Sequence, residues 1–151
     1  RYLDVETVDF SVNELGKPYH KEIAGKQTVN FNISHSGEFI LEVFAVGMDI
    51  GVDVQEMAEC PDYREIAENF YTAEEAEDVK NEGPDLFFQY WAAKEAYVKA
   101  LGIGLGRGMD FFSVRNGKIA EKDKKDQDWF LYPVRIKGYA AYVAAHKKGD
   151  R

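Results

Sequence analysis

Scarcity sets the first bounds on this protein. Its 151 residues contain one cysteine, Cys60. No internal disulfide framework can form, and a reducing, cytoplasmic setting is expected. No general base stands beside Cys60 in sequence, so it reads as an inert thiol. Histidine is scarce too: His20, His35 and His146 lack metal-ligand spacing to one another or to Cys60, and no zinc site emerges. Nor does a serine–histidine–acid triad. No apolar run reaches membrane-spanning length and no secretory signal is visible. Positive charge is in deficit, with 19 Lys and Arg against 27 Asp and Glu for a net −8. This disfavours nonspecific binding to nucleic acid and attraction to anionic membranes. It also gives no long-range pull toward an acidic protein, so such a partner has to be met by a local basic or apolar patch. The first residue is Arg1 rather than Met, which reads as a fragment or a processed chain.

What remains is well suited to folding. Hydrophobic residues make up 45% and aromatics 14%, a globular composition long enough for one domain with a sizeable core. The chain is organised around 89–105. A helix is predicted there, capped by Asp85 after Pro84 and stopped by Gly102. Leu86, Tyr90, Ala93, Tyr97 and Leu101 recur at helical spacing, and Phe87, Trp91 and Val98 widen the apolar surface, so other elements enclose this helix. Glu95 and Lys99 are i,i+4 neighbours. They form either a surface ion pair or, if Glu95 is buried, part of a paired or metal-bound site, since an isolated buried charge is very costly.

Earlier in the chain, 13–18 reads as a turn around Gly16 and Pro18, with Lys17 as a solvated turn residue or a ligand contact. A strand over 29–33 ends at Ser34-His35-Ser36-Gly37. This group can hold an oxyanion or simply cap the next segment. Strands are predicted over 39–46 and 50–54, joined by a tight hairpin turn at 47–49. In the second, Gly51, Asp53 and Gln55 share one face, while Val52 and Val54 share the other. Asp53 and Gln55 can together hold an oxygen-liking metal, or that face is solvated.

Helices are predicted over 61–70 and from Thr72 to about 81. Thr72 and Glu75 form a capping-box pattern that gives Glu75 a structural role. The glycines at 102, 104, 106 and 108 come after a helix rather than a strand, which rejects a dinucleotide-type phosphate loop. Strands are predicted over 109–114, 118–120, 129–132 and 139–144, with a hairpin turn at Asn116-Gly117. A mixed-charge loop spans 121–128.

If the helix packs across the sheet, Asp53 and Glu95 can face one Mg²⁺ with water and phosphate oxygens completing its shell. Lys99, Ser34 and His35 then stand within reach of phosphates, an arrangement suited to phosphoryl-type transfer.

These residues carry a resemblance. Gly16-Lys17-Pro18, Phe31-Asn32-Ile33-Ser34-His35-Ser36-Gly37, Gly51-Val52-Asp53-Val54 and Trp91-Ala92-Ala93-Lys94-Glu95-Ala96-Tyr97-Val98-Lys99-Ala100 occur in the order found in 4′-phosphopantetheinyl transferases of the surfactin-synthetase-activating type. The stretches 70–75 and 102–105 are similar as well. The trimeric holo-acyl-carrier-protein synthase is close in length, but its aspartate strand lies near the N-terminus and it lacks the first two motifs.

The resemblance implies an α+β fold, with an antiparallel sheet packed against a long central helix. It also implies a pseudo-twofold, two-half architecture. Here the first half is expected to be largely absent, with 1–30 its remnant and connector, and 1–151 a single domain. The activity implied is transfer of the 4′-phosphopantetheine of coenzyme A to a serine hydroxyl of an apo acyl or peptidyl carrier protein, releasing adenosine 3′,5′-bisphosphate. By the same resemblance Asp53 and Glu95 bind Mg²⁺, and Glu95 activates the serine. Lys99 contacts phosphate, and Lys17, Pro18, Ser34 and His35 hold the nucleotide end of coenzyme A. Where the family often has a second acid this chain has Gln55, a weaker metal ligand. Two readings from other classes stand beside this one: a coenzyme A or carrier-protein binding module without turnover, and a plain structural α/β domain.

Overall fold

The computed structural model describes residues 10–14, 16–20, 29–104, 108–122 and 128–147. The expectations for 1–7, for most of the 121–128 loop and for the end of the polar tail lie outside them. Among these residues nine strands and three α-helices run in the order β1 (Phe10–Val12), β2 (Pro18–His20), β3 (Val29–Ser36), β4 (Phe39–Val46), β5 (Met48–Glu56), α1 (Tyr63–Phe70), α2 (Ala73–Glu82), α3 (Pro84–Leu101), β6 (Phe112–Ser113), β7 (Ala120–Glu121), β8 (Trp129–Pro133) and β9 (Tyr139–Lys147). All strand pairs are antiparallel: β1 with β2, β3 with β4, β6 with β7, and a three-stranded sheet in the order β5-β9-β8. Among the described residues no helix is long and apolar enough to cross a membrane.

The predicted hairpin between β4 and β5 does not form. A single residue, Gly47 (φ 66), separates them, and β4 turns back instead on β3 through Gly37-Glu38. Gly37 has φ 52, the positive value that tight two-residue hairpin turns favour. One intervening residue cannot reverse a chain into a ladder, so β5 leaves β4 and pairs along its whole length with β9.

The outer edge of β5 explains why the strand is stable with only one ladder partner. Every second residue of β3 is polar, and these side chains close that edge. Asn30 Nδ2 donates to Met48 O at 2.6 Å. Asn32 Oδ1 accepts from Val52 N at 2.9 Å, Ser34 Oγ from Val54 N at 3.2 Å and Ser36 Oγ from Glu56 N at 2.9 Å. Lysines cap the carbonyls between: Lys17 Nζ reaches Ile50 O at 3.5 Å and Lys99 Nζ reaches Val52 O at 3.2 Å. Buried backbone groups left unpaired are costly, and here side chains meet a demand that a further strand would otherwise meet. Ser34, His35 and Ser36 are therefore the last residues of β3, not a turn after it.

Helix α3 begins with Pro84 in its first turn and Gly83 at the N-cap. Asp85 lies within the first turn and makes no side-chain cap, contrary to expectation. Its charge still suits the positive end of the helix dipole. Gly102 ends the helix in the left-handed conformation, φ 69, as predicted. From Ala92 to Ala100 every residue except Lys99 is buried. The helix lies against β5 and β9. Contact is close at Gly51, where an added Cβ would collide with the Ala96 carbonyl and the Ala100 nitrogen. Tyr97, fully buried, meets Phe112 and Trp129 edge-on, each at 4.7 Å.

Thr72 and Glu75 form the predicted capping box, and the structure adds to it. Glu75 is also fully buried against Lys94 of α3, Nζ to Oε2 2.7 Å, and accepts from Val114 N at 2.7 Å. The predicted strand over 109–114 shrinks to β6. Instead the carbonyls of Met109 and Phe112 turn inward to Lys94 Nζ at 2.7 and 2.6 Å. An inward lysine thus holds the segment after α3 by its carbonyls.

Candidate active site

Asp53 of β5, Ser34 of β3 and Lys99 of α3 meet where α3 crosses the strand. Lys99 Nζ lies 2.6 Å from Asp53 Oδ1 and 3.1 Å from Ser34 Oγ. Ser34 Oγ donates to Asp53 Oδ1 at 3.0 Å, and Gln55 Nε2 donates to Asp53 Oδ2 at 2.7 Å. Asp53 is buried, while the Lys99 side chain keeps about a third of its exposure, 29%. The aspartate has its partners for a simple reason. Residues 51, 53 and 55 face α3, and a carboxylate on that face is removed from water unless cations and hydroxyls replace the solvent.

Glu95 sits one turn before Lys99, yet the two form no ion pair; Lys99 turns to Asp53 instead. Glu95 is buried, and its Oε1 has no hydrogen-bond partner. Burial pushes its carboxyl up to about 7, the Asp53 charge adds to the rise, and the Lys99 ammonium opposes it. A buried acid that is poorly partnered and shifted toward neutrality marks a candidate functional site.

The sequence-predicted residues separate into groups. Asp53, Ser34, Lys99 and Gln55 are joined by direct contacts, with Gln55 presenting its amide nitrogen rather than its oxygen to Asp53. Glu95 and Lys99 line a cleft of about 260 Å³ together with Lys17, Pro18, Asn32 and Gly102. Lys17 is anchored at its wall: its Nζ donates to Ala100 O at 2.9 Å, capping the end of α3, and its N–H bonds Asn13 Oδ1 at 2.8 Å. His35 stands apart. It alternates with Ser34 along β3, so it points to the opposite face of the hairpin, where it is exposed opposite Ile40. Among the described residues no three His, Cys, Asp or Glu side chains gather to hold a metal ion.

Sequence reasoning missed Asn32, which lines the cleft and fixes the Val52 backbone. The period-two run of polar residues at 30, 32, 34 and 36 was the available signal, but such a run ordinarily marks a solvated face.

The family model for the 4′-phosphopantetheinyl transferase superfamily matches residues 49–145, from β5 through β9. The chain is 39% identical over 118 residues to a 4′-phosphopantetheinyl transferase of Bacillus subtilis, covering 75% of this chain and 50% of that protein. It is 36% identical over 117 residues to 4′-phosphopantetheinyl transferase Sfp of Bacillus subtilis strain 168, with the same coverage. The L-aminoadipate-semialdehyde dehydrogenase-phosphopantetheinyl transferase of Rattus norvegicus is 29% identical, over 86% of this chain and 52% of that protein. The chain spans about half the length of these relatives. A match from the aspartate strand to the last strand, joined to the contacts among Ser34, Asp53 and Lys99, leads to one assignment: the chain belongs to the 4′-phosphopantetheinyl transferase superfamily.

Proposed function

We propose that this chain carries the reacting face of a transferase that moves 4′-phosphopantetheine from coenzyme A to a serine hydroxyl of an apo carrier protein. The observation that carries the reading is Glu95: a buried carboxyl with an unpartnered oxygen, held near neutrality beside Asp53 and Lys99. A general base works best when its pKa lies near the operating pH. In the reaction, the serine oxygen bonds to the phosphorus that bears pantetheine and gives its proton to Glu95. The pyrophosphate P–O bond breaks, and adenosine 3′,5′-bisphosphate leaves.

Lys99 is assigned to the phosphates. Lys17, Pro18 and Ser34 are assigned to the nucleotide end of coenzyme A, with Lys17 and Pro18 lining the cleft; His35, exposed on the opposite face of the hairpin, is left out of this assignment. Asp53 and Glu95 would hold Mg²⁺, with Gln55 a weak additional donor. The residues fit such an ion through the unpartnered Glu95 oxygen and through two carboxylates close enough for Asp53 to raise the Glu95 pKa. A hard cation takes few protein carboxylates and fills its shell with water and phosphate oxygens. When bound, it would offset the charge of the pyrophosphate. Residues 1–151 act as one unit in this proposal, in the cytoplasm, within the two-half pseudo-twofold architecture that the resemblance implies.

Intact-mass spectrometry of an apo acyl carrier protein, incubated with the chain, coenzyme A and Mg²⁺, tests the reading. A mass gain of one phosphopantetheine that EDTA prevents is expected, and Glu95→Ala should lower the rate by at least about a hundredfold. Gln55 in place of a second acid favours the binding-module reading. Coenzyme A binding with no mass gain would select that reading over the transferase.

A further inference from the structure

A second cleft, of about 420 Å³, opens between α3 and the β8–β9 hairpin. Part of its lining shares a sheet face with Asp53. In the β5–β9 ladder Tyr142 stands opposite Asp53 and Ala140 opposite Gln55, and directly opposed residues share a face. Both Tyr142 and Ala140 line this cleft, as does Gln89 of α3. The C-terminal half of α3 is pressed on Gly51, while Gln89 lies two turns nearer its start. The first cleft thus has Glu95, Lys17 and Lys99 on its wall, and the second reaches the sheet beside Asp53 and Gln55 through Tyr142 and Ala140.

The rim of this second cleft is basic in a chain of net charge −8. Arg135 and Lys137 line it, both exposed, and neither has an ion pair or hydrogen bond among the described residues. Two exposed cations elsewhere are engaged instead: Arg115 is held by Asp78 at 2.6 Å and Lys80 by Glu77 at 3.6 Å. Between Arg135 and Lys137, Ile136 adds an apolar step, and Val134 and Pro133 extend it. An apolar floor with free cations on its rim suits an acidic protein surface. Rim charges of this kind act mainly on encounter and register, which a net-acidic protein needs when its partner is also acidic.

We propose that the cleft rimmed by Arg135 and Lys137 is the docking site for an acidic surface of the acceptor protein, which presents its serine to Glu95 along the Tyr142–Ala140 face. The proposal rests on the transferase reading above and deepens it by naming where the second substrate sits.

The test is Arg135→Glu/Lys137→Glu against wild type, with an acidic apo acyl carrier protein as acceptor. Lys118→Glu, on the β6–β7 connection outside the cleft, is the control for a change of charge. Transfer is monitored by mass spectrometry across acceptor, coenzyme A and salt concentrations, and acceptor binding is measured separately by calorimetry. In the double variant the KM for the acceptor should rise at least about tenfold and lose its salt dependence, with the KM for coenzyme A unmoved. Lys118→Glu should leave the acceptor KM within about twofold. An unchanged acceptor KM in the double variant overturns the docking site alone. A rise in the coenzyme A KM instead overturns it too, by giving the cleft to the other substrate. If wild type binds the acceptor without transferring, and the double variant does not bind, the docking face stands and the transferase reading fails. If wild type neither transfers nor binds, both fail.

Discussion

Two lysines on α3 each meet a carboxylate from another element, and they do different things. Lys94 is wholly enclosed. Its ammonium has three acceptors at 2.6 to 2.7 Å and lies 4.3 Å from the centre of the Phe112 ring. Its partner Glu75 is saturated as well, by Lys94, the Thr72 N–H and the Val114 N–H. Burial lowers the Lys94 pKa and the Glu75 charge opposes that shift. Lys99 also has three acceptors, but its side chain is part exposed at a cleft, and the adjacent Glu95 carboxyl is left with an unpartnered oxygen. One pair is closed on all sides and has nothing left to bind. The other leaves a buried acid unsatisfied, and that residual demand is what a substrate or cation can meet. Charge at a helix–sheet crossing is therefore not itself the mark of a site; incomplete satisfaction is.

The largest expected effect tests the closed pair. Lys94→Met should cost about 3–5 kcal/mol in urea unfolding, because it strands the buried Glu75 charge. Lys99→Met should cost less, about 1–2 kcal/mol, since Asp53 keeps Ser34 and Gln55 and the lysine it loses is itself part exposed. Equal losses for the two variants would erase the distinction. Asn32→Ala removes the acceptor of the buried Val52 N–H and should cost about 1–3 kcal/mol by the same measurement. Gly51→Ala, forced against the α3 backbone, should cost at least about 1–3 kcal/mol and lower activity together with stability.

One effect has the opposite sign. The folded-state pKa of Glu95 is raised from 4.5 to about 7, so between those values the folded protein holds a proton that the unfolded chain has released. Stability from this group therefore falls as pH rises from about 4.5 to 7 and is flat above. Glu95→Gln should remove that slope and stabilise the metal-free chain at pH 8 by about 3 kcal/mol while abolishing transfer. Thermal melts of both proteins from pH 4.5 to 8 check this. A parallel pH dependence in the variant would show that Glu95 is not the frustrated group.

Much of the fold is legible in the sequence. The capping box at Thr72 and Glu75, the stop at Gly102 and the strand face shared by Gly51 and Asp53 come from local chemistry, and each is present. The features that local pattern misplaces depend on distant partners. A β4–β5 hairpin looks sound because two apolar runs flank a glycine, yet β5 takes its ladder from β9, more than eighty residues on. Spacing makes Glu95 and Lys99 an i,i+4 pair because it shows neighbours and not competitors; Asp53, distant in sequence, takes the ammonium. His35 and Ser34, adjacent in one motif, go to opposite faces because β3 continues through them.

Local sequence was enough to mark which residues carry chemistry, the two faces of β5, the start of α2 and the end of α3, because spacing, caps and turn residues act over a few positions. Which carboxylate is neutralised and which is left wanting was settled by long-range packing. That outcome depends on burial and on which cation arrives from another element, and neither is written in local periodicity.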